Sequence, residues 1–137
     1  MASGQTWLRA CSIRGMSRDH RKLRVFQEAD QLVADVYRVS RGFPTQERYG
    51  LQSQIRRAAV SAACNIVEGS ARQSEREYLH FINIATGSAA EAEYLMPLAV
   101  RLGFLDPSEA EPLARRYAGL SSALRAMIRA LEKPDQT

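Results

Sequence analysis

The stretch RRAAVSAACNIVEG, Arg56–Gly69, opens on two arginines, continues through small apolar residues and closes on an asparagine, a glutamate and a glycine. Its apolar residues do not alternate with the period of two that a half-buried strand needs. Extended upstream, Leu51, Ile55, Ala58, Ala62 and Ile66 recur every three or four positions, the period of an amphipathic helix. On that helix Arg57, Ser61, Asn65 and Glu68 fall four, four and three residues apart, so they share one face. Arg56 points about 100° away, on the side of Val60, Ala63 and Val67.

The same period extends outward in both directions. A preceding helix starts at Leu23, carries Leu32, Val33, Val36 and Tyr37 on one stripe, and stops at Gly42-Phe43-Pro44. Thr45 is placed to cap the quoted helix, and Gly69 suits the left-handed residue that follows a helix. Ser74-Glu75-Arg76-Glu77 has the form of a capping box and starts a long helix ending before Gly103, with a kink expected at Pro97. Asp106-Pro107 starts a fourth, with Leu113, Tyr117, Leu120, Leu124 and Ile128 on its stripe. Four helices with short connections predict an all-α, antiparallel up-and-down four-helix bundle. The domain spans residues 23–132, between a basic, disordered leader at 1–22 and a tail at 133–137.

With 137 residues, there is one core's worth of chain. The net charge of +4 is unevenly placed: residues 1–24 hold Arg9, Arg14, Arg18, Arg21, Lys22 and Arg24 against Asp19. That segment is +5 and the remainder −1. Met16 offers an internal start, which would make residues 1–15 an upstream extension of the reading frame. The strongly apolar, alanine-rich window Ala58–Val67 is far short of the roughly 20 residues that cross a bilayer, so no membrane partner is expected. Cys11 and Cys64 give neither a disulfide framework nor metal-ligand spacing, and Cys64 reads as a small packed residue of a reduced, cytoplasmic protein.

No catalytic residue, metal site or cofactor is predicted. Glu77-x-x-His80 is half of a di-iron bundle's ligand set, but the other histidine, His20, has Ser17 three residues before it. There is no glycine-rich phosphate loop, nucleophile elbow or Cys-x-x-Cys pair. The small residues of the quoted helix and the thin place at Gly87-Ser88, one turn before Glu91, are expected to meet. Arg57, Ser61, Asn65, Glu68, Ser88 and Glu91 then form an internal polar motif that fixes register. Arg56 and Arg72, with Arg21 and Lys22 of the leader and Arg24 just after it, are left as the nucleic-acid-binding cations.

FPTQERYGLQSQIRRAAVSAACNIVEG followed by SEREYLHFINIATGSAAEAEYLMPLAVRLGF resembles the four-helix-bundle proteins encoded by intervening sequences of large-subunit ribosomal RNA genes. The resemblance covers Leu23 to Leu131. F-P, E-R-Y-G-L, Q-x-x-R-A-A-x-S, N-I-x-E-G and G-S-x-x-E occur in order, and Arg57, Ser61, Asn65, Glu68, Gly69, Gly87, Ser88 and Glu91 fall on motif positions. Phe26 stands where tryptophan is frequent, Val67 where alanine is, and Pro97 is unusual. The resemblance implies a homopentameric ring, distantly similar to the basic accessory proteins of diversity-generating retroelements. The function expected is a non-enzymatic oligomer that binds RNA or DNA through arginine–phosphate contacts. A protein-binding scaffold is the alternative.

Overall fold

The computed structural model describes residues 19–132. Residues 1–18 of the leader, the tail at 133–137 and Cys11 lie outside them. Among the described residues there are four α-helices and no strand: α1 (Arg24–Ser40), α2 (Leu51–Ser70), α3 (Glu75–Arg101) and α4 (Pro107–Glu132). Consecutive helices pack together and α4 returns to α1, closing a four-helix bundle. At one end Phe43, in the α1–α2 connection, meets Phe104, in the α3–α4 connection, with ring centroids 5.9 Å apart. The tight α2–α3 turn and the start of α1 therefore lie at the other end.

Alanine dominates the seam between α2 and α3. Ala58, Ala59, Ala62 and Ala63 of α2 and Ala85, Ala89, Ala92 and Ala99 of α3 are all buried, so this seam is built largely of side chains that end at Cβ. Larger side chains fill the middle: Leu32, Ile55, Ile66, Ile82, Met96 and Leu124 are fully enclosed. The hydroxyls of Ser70 and Thr86 are satisfied within their helices by the carbonyls of Ile66 and Ile82. Tyr117 Oη and Ser121 Oγ, one turn apart on α4, are buried without a partner among the described residues. Burial pushes the Tyr117 phenol well above its ordinary pKa.

Several local expectations need correction. Thr45 opens a short 3-10 turn, Thr45–Glu47, and does not cap α2. The Glu47 carboxylate does so, accepting from the Leu51 N–H at 2.8 Å. Gly69 is inside α2 and not left-handed; the left-handed residue is Gly103, at φ 80°. There the Phe104 N–H reaches the Ala99 carbonyl and the Gly103 N–H that of Val100, the paired bonds that close a helix C-terminus on glycine. Gly69 is glycine for room, since a Cβ there would stand 3.0 Å from Phe81 Cβ. Tyr37 leaves the α1 stripe and is 39% exposed, its place in the core taken by Val39. Cys64 is exposed, because Ala62, Ala63 and Ile66 turn the α2 core stripe away from it. Pro97 sits on the exposed side of α3, which runs unbroken from Glu75 to Arg101.

The end of the supposed leader is also built into the fold. His20–Lys22 form a 3-10 turn capped by Asp19, whose carboxylate accepts from the Arg21 N–H at 3.1 Å. His20 packs edge-on to Phe26 at 4.7 Å, Gln27 donates to the Arg21 carbonyl at 3.0 Å, and Leu23 is buried. The turn touches α1 and α2. The irregular leader therefore does not extend to residue 22.

Candidate nucleic-acid interface

The basic residues read from the sequence separate into two places. Arg21, Lys22 and Arg24 stand at the start of α1, and Arg72 follows the end of α2, so the antiparallel topology brings them to the same end of the bundle. All four are exposed. Arg76, in the first turn of α3, joins them. Arg72, Ser74, Arg76, Glu77, His80 and Phe81 line a cleft of about 630 Å³ at this end. The Arg72 guanidinium lies 4.9 Å from the Phe81 ring centroid and 3.5 Å from Glu68. Arg21 is held by Asp19 at 2.9 Å, which lowers the Asp19 pKa. Among the described residues Lys22 and Arg76 make no ion pair or side-chain hydrogen bond, although Lys22 is close enough for its charge to act on Asp19.

Arg56 is elsewhere, and it is engaged. Its Nε donates to Ser40 Oγ at 2.8 Å, its Nη2 to the Tyr37 carbonyl at 3.3 Å, and its guanidinium lies 4.5 Å from the Tyr37 ring centroid. Gln52, one turn earlier on α2, donates to the Ser40 carbonyl at 2.8 Å. Two α2 side chains thus satisfy carbonyls that the C-terminus of α1 leaves open. Arg57 is exposed and has no partner among the described residues. The expected roles of the two arginines are exchanged: Arg56 serves the fold, and Arg57 faces outward.

The polar motif is assembled in part. Ser61 Oγ and Ser88 Oγ lie 2.8 Å apart across the α2–α3 seam. Asn65 donates to the Ser61 carbonyl at 2.8 Å and to its hydroxyl at 3.1 Å, while Gln54 donates to Glu91 at 3.2 Å. Glu68 faces solvent and bonds Arg72 instead. Gly87 is exposed, and a Cβ on it would meet nothing, so only Ser88 marks the closest approach. Among the described residues no group of three or more His, Cys, Asp or Glu side chains is placed to hold a metal ion, and no helix is long and apolar enough to cross a membrane.

Residues 21–126 match the family model described as 23S rRNA-intervening sequence protein. The chain belongs to this family. Among solved structures it is similar to a protein of unknown function from the S23 ribosomal protein family of Bacteroides thetaiotaomicron, with a TM-score of 0.71 at 22% identity. That alignment covers 77% of this chain and 95% of the other, and at such identity the likeness concerns the fold. None of the curated proteins matches.

Two elements of this intervening-sequence family member escaped the sequence reading. Arg76 was absorbed by the capping box, whose forward half is present as the Glu77 N–H to Ser74 Oγ bond of 3.1 Å. Arg116 of α4 bridges Glu28 and Asp35 of α1 at 2.7 Å each, and Arg38 adds a bond to Asp35 at 3.3 Å. No local spacing links positions 28, 35 and 116. The hydrogen bond from Arg116 holds the Asp35 carboxyl below its ordinary pKa. A depressed folded-state pKa stabilises the fold above the unfolded value of about 3.9, and that stability is lost as pH falls through the folded value. These side chains are about a third exposed, so solvent screening keeps the expected effect small. Arg116→Ala is expected to cost about 1 kcal/mol at pH 7 and much less at pH 2 in urea unfolding. An equal loss at both pH values would mean that Arg116 acts through packing.

Proposed function

We propose that the protein is a non-enzymatic homo-oligomer, a pentamer, that binds RNA or DNA in the cytoplasm through phosphate contacts at the basic end of the bundle. The observation carrying this reading is the convergence of Arg21, Lys22, Arg24, Arg72 and Arg76 at one end, with Lys22 and Arg76 exposed and in no ion pair among the described residues. Such cations attract a polyanion without reading its bases. Repetition in a ring multiplies a modest patch through effective concentration. Self-association is supported by large apolar side chains left exposed on α3 and just past its end, where Ile84, Tyr94 and Leu102 are 39%, 58% and 52% exposed. Light scattering across a dilution series gives the subunit number.

Charge reversal tests the interface. The double substitution Lys22→Glu and Arg76→Glu is expected to weaken binding to both structured RNA and duplex DNA by tenfold or more, with the melting temperature retained, because both side chains are exposed. Unchanged affinity would remove the basic end from the interface. Absence of binding by the parent protein at low salt would favour a protein-binding scaffold.

A further inference from the structure

On the N-terminal half of α2, away from the basic cluster, lies a second cleft of about 500 Å³. Tyr49, Ser53, Gln54, Arg57, Ser61 and Glu91 line it. Tyr49 is 89% exposed, so packing does not account for an aromatic residue here. Its ring has a cation on one side, with the Arg48 guanidinium 5.8 Å from its centroid. Arg57 is the second cation, exposed and without a partner among the described residues although Glu91 shares the cleft. The Gln54 amide donates to one Glu91 oxygen at 3.2 Å.

We propose that this cleft takes one unstacked nucleotide of a single-stranded nucleic acid, the base stacking on Tyr49 and the adjoining phosphate meeting Arg57. Three kinds of group converge here that a nucleotide uses together: an exposed aromatic face, a cation, and an oriented amide–carboxylate pair matching the donors and acceptors of a base edge. A duplex keeps its bases stacked inside and cannot offer that face, so the cleft discriminates single strands from duplexes. The inference builds on the proposed nucleic-acid binding and adds the strandedness of the ligand.

The test is fluorescence anisotropy of the full chain with an unstructured single-stranded RNA and with a duplex of the same length. Tyr49→Ala is expected to weaken single-strand binding about tenfold and leave duplex binding unchanged, Tyr49→Phe to bind as the parent does, and Arg57→Ala to follow Tyr49→Ala. Parent-like single-strand binding by Tyr49→Ala overturns the proposal while leaving binding at the basic end intact. So does an equal loss on the duplex, or a loss by Tyr49→Phe as large as that of Tyr49→Ala. Absence of binding to either probe by the parent overturns both readings. Circular dichroism of each variant confirms that the bundle is retained.

Discussion

Replacing Arg56 by glutamate is expected to cost the bundle about 2–3 kcal/mol, whereas the same change at Arg57 stays within about 0.5 kcal/mol. The difference follows from what the two guanidinium groups touch. Arg56 links α2 to the last turn of α1 through Ser40 Oγ, the Tyr37 carbonyl and the Tyr37 ring. Glutamate removes both donors and sets a negative charge beside the negative end of the α1 dipole. Ser40 is fully buried, so water does not readily replace the lost donor. Denaturant unfolding of the two variants, at equal subunit concentration, separates the roles. If Arg57→Glu proves the more destabilising, the outward placement of Arg57 is wrong.

Gly69→Val is expected to destabilise by a similar 2–3 kcal/mol, for a steric reason. A Cβ at position 69 would stand 3.0 Å from Phe81 Cβ, 3.3 Å from Tyr78 Cδ2 and 3.4 Å from the Tyr78 carbonyl oxygen. Alanine gains about 1 kcal/mol of helix propensity to set against that crowding, but valine adds two methyl groups where backbone limits relaxation. The tight turn between α2 and α3 forces this approach, and the turn also places Arg72 against Phe81. A thermal melt of Gly69→Ala beside Gly69→Val shows the trend. Equal stability of glycine and valine would mean that α3 can move away freely.

The bundle was legible because helical periodicity, proline and the Gly103 stop are local signals, and each buried stripe repeats every three or four residues. Contacts between distant positions were less so. The Ser61–Ser88 meeting followed from two thin places on adjacent helices, yet Glu68, on the same stripe, turned to Arg72. Spacing alone assigned Arg57 inward and Arg56 outward, because it places residues on faces of one helix without saying where the neighbouring helix ends. The C-terminus of α1 stops beside Arg56 and makes it a cap. The Arg116 bridge joins residues 88 and 81 positions apart, a separation at which no sequence motif operates. Similarly, Gly69 was read as a left-handed helix stop, whereas it lies inside α2 and is needed for clearance, which only the position of Phe81 decides.

The most direct measurement is the salt dependence of binding to duplex DNA by the parent and by the Lys22→Glu, Arg76→Glu double variant. Each phosphate neutralised contributes about −0.9 to the slope of log affinity against log salt concentration. The expected result for the parent is a straight line with a slope near −2 from one subunit's Lys22 and Arg76, steeper when several subunits engage, and a clearly shallower line for the variant. A parent affinity independent of salt, or identical slopes for parent and variant, would contradict phosphate binding at this end of the bundle.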